Sequence, residues 1–189
     1  MTSTSEKATL RKHLLQQRRS LPKNFWRQWS EQICQHLRQS SPFTQAETVL
    51  AYFSFRQEPD LSSLFELPKN WGFPRCVEQS LIWHAWAPHD PLPLQAGAYS
   101  IPEPHPNAPV LSAEQVDLLL VPAVACDREG FRLGYGGGFY DRLLCQPEWS
   151  HKPAICIVFD QAYLPHLPQD PWDKALTAVC TESGLFSVE

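Results

Sequence analysis

Apolar residues recur at helical spacing through the N-terminal region and in short unbroken runs after it. Leu10, Leu14 and Leu21 line one side of a helix expected from about Glu6 to Ser20. Ser3-Thr-Ser-Glu6 reads as a capping box at its start. Lys7 and Arg11 are four apart and share a face of that helix. Pro22 opens a second helix to about Gln39, with Phe25, Trp29, Ile33 and Leu37 as its apolar stripe. Residues 48–55 (TVLAYFSF) form a β-branched and aromatic run, read as a buried strand. Asp60 is expected to cap a short helix through Leu64 and Phe65. Strands follow at 73–77 and 81–86, then a proline- and glycine-rich excursion over 87–110. Residues 115–125 read as one continuous central strand covered on both faces, 139–144 as the start of a helix, and 154–159 and 176–180 as further strands. Strands alternating with helices predict an α/β fold with a mostly parallel sheet.

At 189 residues the chain suits one domain, 1–189, with a sizeable core. Hydrophobic residues make up 43% and charged residues 19%, the balance of a folded protein. A formal net charge of -4 argues against broad nucleic-acid binding. No stretch has the apolar length to span a bilayer, and no apolar signal core opens the chain, so a cytoplasmic setting without membrane partners is expected. None of the six cysteines forms a Cys-x-x-Cys pair; Cys34, Cys126, Cys156 and Cys180 lie in apolar or helical contexts and read as small core hydrophobes. The histidines show no ligand spacing for a transition metal.

Half of the eight glycines fall in one loop, inside residues 127–142 (DREGFRLGYGGGFYDR). Gly134, Gly136, Gly137 and Gly138 would let the backbone approach a ligand and turn N–H groups toward an anion. Flanking arginines suit phosphate oxygens, and Asp141 suits a hard cation such as Mg²⁺. Spacing excludes the two common nucleotide loops. No Lys-[Ser/Thr] follows the glycines, and the sixth position from Gly134 is Phe139, from Gly136 Asp141, where the dinucleotide fingerprint needs glycine.

What remains, RLGYGGGFYDR, resembles the signature of the 5-formyltetrahydrofolate cyclo-ligase (methenyltetrahydrofolate synthetase) family. Further blocks follow in family order. Residues 7–11 (KATLR) resemble its N-terminal basic helix, and 52–58 (YFSFRQE) its strand ending in a substrate-binding glutamate. Residues 122–127 resemble the strand before the loop; 159–161 and 168–182 resemble the C-terminal segment. The resemblance implies a three-layer α/β/α sandwich related to sugar-phosphate isomerases and CoA transferases. It implies a monomeric enzyme that uses ATP and Mg²⁺ on 5-formyltetrahydrofolate, free or polyglutamylated.

The residue roles come from the same resemblance. Lys7, Arg11, Arg132, Leu133, Gly134, Tyr135, Gly136, Gly137, Gly138, Phe139 and Tyr140 would contact ATP. Tyr135, Gly136, Gly137, Gly138 and Phe139 would also touch the folate, together with Phe53 and Glu58. Arg132 and Asp141 would be catalytic, and Asp141 and Asp173 would hold the metal. Lys12, Arg18 and Arg19 read as solvated charges. The sequence departs from the commoner pattern at Gly137, where some members carry a basic residue, at Pro59 after the glutamate, and at Asp170 and Trp172 ahead of Asp173. An isomerase on the same scaffold would need an enolising base, and no such motif is present. A binding relative without activity would have had little reason to keep the whole set.

Overall fold

The computed structural model describes residues 3–188, with side chains from residue 5 onward. The Ser3 side chain, on which the capping box depends, lies outside the described residues. Helix α1 spans Ser3–Arg19 and α2 Lys23–Gln39, the latter opened by Pro22, whose missing N–H costs nothing at a helix start. On α2 the buried stripe is Ser30, Ile33, Cys34 and Leu37; Phe25, expected in it, is exposed and its ring lies tilted against Trp29 instead. A short α3, Ser41–Gln45, follows and buries Phe43.

The main sheet has the order β12-β11-β9-β6-β1-β2-β3. Its strands are β1 (Thr48–Leu50), β2 (Asn70–Val77), β3 (Ser80–Ala85), β6 (Leu118–Pro122), β9 (Ala154–Ile157), β11 (Ala178–Thr181) and β12 (Gly184–Ser187). Pairings among β2, β1, β6, β9 and β11 are parallel, and the edge strands β3 and β12 are antiparallel. The final hairpin strand β12 was not expected. Alternation along the strands divides the core. Leu119, Val121, Cys156 and Val179 face Leu14 of α1 and the later helix α4 (Phe139–Leu144), whereas Leu118, Leu120, Ile155 and Cys180 face Ile33 and Leu37 of α2. The three layers are therefore α1 and α4, the sheet, and α2 with α3.

Two expected strands are shorter than their apolar runs. β1 stops at Leu50, and residues 51–59 leave the sheet. Their hydrophobicity serves packing: Phe53 stacks on Phe73 with ring centroids 4.3 Å apart and meets Phe65 and Trp86 edge-on. The run 115–125 is split after Pro122. β7 (Ala125–Asp127) joins a small second sheet with β8 (Arg132–Leu133) and β10 (Tyr163–Leu164). Asp60 accepts from the Ser62 N–H at 3.0 Å and so turns the chain into the 3₁₀ turn Ser62–Leu64, one residue before its cap position. Within 87–110 a two-stranded ribbon, β4 (Gln95–Ala96) with β5 (Pro102–Glu103), is tied to β2 by the Cys76 N–H on Glu103 Oε1 at 3.1 Å. The six cysteines are free thiols, with Cys34, Cys126, Cys156 and Cys180 buried. No described helix is long and apolar enough to cross a membrane.

Strand β1 lies between β6 and β2, and the chain reaches β6, β9 and β11 on one side of β1 and β2 on the other. The order reverses there. In open parallel sheets the crevice beyond the carboxyl ends at that point receives ligands. Residues 51–59 leave β1 and residues 123–138 follow β6 at this end.

Candidate active site

Glycine placement decides the loop between β8 and α4. Gly136 has φ +103° and Gly138 φ +67°, both left-handed. At Gly134 a side chain would meet the Arg132 guanidinium at 2.9 Å, and at Gly137 the Phe139 ring at 3.0 Å. The loop's carbonyls are held from either side by arginines. Arg11 Nε donates to Gly134 O at 2.7 Å, and Arg142 Nη2 donates to Gly137 O at 3.0 Å. Among the described residues, nothing accepts from the N–H groups of Gly136, Gly137 and Gly138. With acceptors tied down and donors left over, the loop presents positive dipole to whatever enters the cleft.

Helix α1 supplies one face to this loop. Lys7, Arg11, Leu14 and Arg18 fall at spacings of four, three and four, which align on one side of a helix. Leu14 anchors the face in the core. Lys7 Nζ makes ion pairs with Asp173 Oδ2 at 2.5 Å and Asp170 Oδ2 at 2.6 Å. Burial opposes the Lys7 charge, but the two carboxylates outweigh it and the ammonium is raised. Arg11 is half-buried against the loop, and that burial pushes its guanidinium down.

Arg132 sits under the loop, not open to it. Its side chain is almost fully buried, with Nη2 on Asp141 Oδ1 at 2.7 Å and the guanidinium 5.1 Å from the Tyr140 ring centroid. Among the described residues, nothing partners the buried Arg132 Nε and Tyr140 hydroxyl. Such donors beside an exposed glycine loop are capacity for a ligand or water. The Asp141 side chain is 31% exposed and that of Asp173 10%; among the described residues each keeps an oxygen outside its protein bonds. Those hard oxygen donors fit Mg²⁺, which takes one or two carboxylates and completes its shell with phosphate and water.

Glu58 is 3% exposed. A tight turn aims it: the Glu58 N–H donates to Phe55 O at 3.0 Å, and both central residues are left-handed without being glycine, Arg56 at φ 49° and Gln57 at φ 57°. This strain lies at the end of β1, as strained backbone often does at a working site. The Glu58 carboxylate accepts the Phe55 N–H at 3.0 Å, while its carbonyl accepts from Trp26 Nε1 at 2.8 Å and Ser54 Oγ at 2.7 Å. Burial pushes the carboxyl up to about 7, against the pull of Arg18, the Phe55 N–H, the Tyr135 hydroxyl and Arg56. Half-buried Phe53, earlier on the same segment, and Trp86, just after β3, pack edge-on and provide aromatic surface.

One reading from the sequence is overturned. Arg18, taken for a solvated charge, is buried; Lys12 and Arg19 are exposed. Its Nε donates to Arg56 O at 3.2 Å, its Nη1 to Ala123 O at 3.1 Å, and its Nη2 to the Tyr135 hydroxyl. The signal was present: Arg18 continues the Lys7–Arg11–Leu14 face. Asp127, buried at the start of the motif, is a brace. Its carboxylate accepts the N–H groups of Glu129, Phe131 and Leu167, closing the β7–β8 hairpin and fixing the following chain.

The folded arrangement thus defines an α/β enzyme type, in which a glycine loop and a buried carboxylate come together at the switch point of a parallel sheet. The model described as the 5-formyltetrahydrofolate cyclo-ligase family matches residues 3–182. A 5-formyltetrahydrofolate cyclo-ligase of Mycolicibacterium smegmatis is 35% identical over 189 aligned residues, covering 95% of each chain. That of Escherichia coli K12 is 31% identical, covering 90% of this chain and 97% of its own. The solved 5,10-methenyltetrahydrofolate synthetase of Aquifex aeolicus superposes with a TM-score of 0.84 at 29% identity, covering 97% of this chain and 93% of that one. The chain belongs to the 5-formyltetrahydrofolate cyclo-ligase family. It is an enzyme of that class, a ligase of one-carbon folate metabolism.

Proposed function

We propose that the switch-point cleft converts 5-formyltetrahydrofolate to 5,10-methenyltetrahydrofolate with release of ADP and phosphate from ATP, in one domain acting as a cytoplasmic monomer. The formyl oxygen takes the transferred phosphoryl group, the other folate nitrogen attacks the activated carbon, and phosphate leaves. Little covalent chemistry falls to the protein in such a transfer; it must position two ligands and neutralise charge. The observation that carries the reading is the meeting of the two halves of the site. The loop N–H groups at Gly136, Gly137 and Gly138 have no acceptor among the described residues, and one face of α1 ties that loop to the turn of the buried Glu58 through Arg11 on Gly134 O and Arg18 on the Tyr135 hydroxyl and Arg56 O.

The ATP phosphates would lie on the N–H groups of Gly136, Gly137 and Gly138, with Arg11 and Lys7 supplying charge from α1. Leu133, Tyr135, Phe139 and Tyr140 would shape the rest of the nucleotide contact. Asp141 and Asp173 would hold Mg²⁺, which supplies neutralisation of phosphate charge. Lys7 now occupies Asp173; triphosphate and metal together would give each of them a new partner, so neither charge is left bare. Arg132 would hold Asp141 in place and contribute positive charge from beneath the loop. Glu58 would accept paired hydrogen bonds from the amino-pyrimidine edge of the pterin, orienting it toward the loop. Phe53 would contribute a wall of that pocket. A polyglutamate tail would extend out of the cleft.

Formation of 5,10-methenyltetrahydrofolate from 5-formyltetrahydrofolate, followed by absorbance with and without ATP and Mg²⁺, tests the reading. Product that forms only with both is expected; no ATP-dependent product would refute it.

A further inference from the structure

Arg18 is the buried cation of the cleft whose three hydrogen bonds go to three separate segments. Arg56 O belongs to the turn that aims Glu58, Ala123 O to the chain leaving β6, and the Tyr135 hydroxyl to the glycine loop. The Tyr135 hydroxyl accepts from Arg18 and is within hydrogen-bonding reach of the Glu58 carboxylate, so the order runs guanidinium, phenol, carboxylate. The residue Tyr135 is otherwise exposed, and its ring centroid is 6.1 Å from that of Phe55. A void of about 10 Å³ beside Arg18, lined also by Leu14, Pro59, Ala123 and Phe159, has room for no more than a water. A planar fork can satisfy acceptors in three directions at fixed angles; an ammonium is a single point.

We infer that Arg18 is the positioning residue of the folate half of the site: it holds the Glu58 turn, the strand end after β6 and the Tyr135 phenol in one relation, so that carboxylate and glycine loop address the same ligand. The inference rests on the assignment of Glu58 to the pterin. Charge follows geometry. The ionisable groups around Glu58 are Arg18 from α1, Arg56 and Tyr52 from its own segment, Tyr135 from the loop and Tyr140 from α4. Of these Arg18 acts most strongly to keep the carboxylate ionised against its burial.

The test compares Arg18→Met, Arg18→Lys and Tyr135→Phe, with Lys12→Met on the exposed side of α1 as control. Steady-state kcat and KM are measured for each substrate between about pH 6 and 9. Arg18→Met should raise KM for 5-formyltetrahydrofolate about tenfold or more while KM for ATP changes less than about threefold. The acid limb of kcat/KM for the folate should move alkaline by about one pH unit. Arg18→Lys should return the limb toward its wild-type position yet keep most of the rise in KM. Tyr135→Phe should also raise the folate KM, and combining it with Arg18→Lys should give less than the product of the two effects, because both break one chain of bonds. Equal rises in both KM values, an unmoved acid limb, or full additivity would overturn the inference. Should Arg18→Met fail to fold, the Arg18→Lys and Tyr135→Phe variants decide it alone. A wild-type protein without ATP-dependent product would instead refute the cyclo-ligase reaction.

Discussion

Replacing Glu58 by glutamine should make the free protein more stable, and the gain should depend on pH. The carboxyl is 3% exposed, and burial raises it from 4.5 to about 7. At ~1.4 kcal/mol per pH unit, that rise corresponds to about 3 kcal/mol. The folded chain holds the Glu58 proton more tightly than the unfolded chain does. Its contribution to stability is therefore fully present below 4.5 and is lost as pH rises to about 7. Glutamine keeps an oxygen for the Phe55 N–H, now accepted at 3.0 Å, and carries no charge to bury. At about pH 8 Glu58→Gln should gain up to ~3 kcal/mol, or roughly 6–12 °C in melting temperature for a chain of this size. Near pH 4.5 the two proteins should melt together. The seven tryptophans allow the transition to be followed by fluorescence at a series of pH values. A difference that does not change with pH, or a variant less stable than wild type at about pH 8, would refute the reasoning. The same substitution should weaken folate binding by roughly tenfold to a hundredfold, as loss of hydrogen bonds to a charged acceptor does. Stability and function are opposed at this position.

Asp141→Asn should lower turnover by about a hundredfold or more and raise the Mg²⁺ needed for half-activity. It should also cost about 1–3 kcal/mol of stability, since asparagine keeps an oxygen for Arg132 but leaves that almost fully buried guanidinium without its countercharge. Lys7→Ala should raise KM for ATP about tenfold with little change for the folate, as loss of one charge-assisted contact predicts; equal effects on both substrates would place Lys7 elsewhere. Gly136→Ala separates strain from clash. An added Cβ would have 3.8 Å of clearance to Arg11, yet φ is +103°, so the expected loss is about 1–3 kcal/mol in thermal unfolding and comes from the backbone alone.

The α/β class, both long helices and most strand locations were legible in the sequence, because apolar periodicity records which side of an element is covered. Where runs of apolar residues outlasted their strands, the pattern misled. Beyond Ala51 the aromatic side chains serve packing, with Tyr52 buried and Phe53 stacked on Phe73, rather than a ladder, and composition cannot tell the two apart. The split after Pro122 was equally hidden, since Ala123, Val124 and Ala125 remain buried after the chain changes sheets.

The site divides in the same way. The glycine loop, its neighbouring arginines and the acidic residues could be read directly from residue order, since spacing and residue type are chemistry written locally. What those charges do emerged only on folding. Arg132 turned out to serve Asp141 from beneath the loop, Lys7 to pair with Asp170 and Asp173, and Arg18 to be buried at the switch point. A charged side chain reads alike in a sequence whether water or a backbone carbonyl surrounds it. Its partners here lie 38, 105 and 117 residues away along the chain, and only the folded sheet brings them within hydrogen-bonding distance.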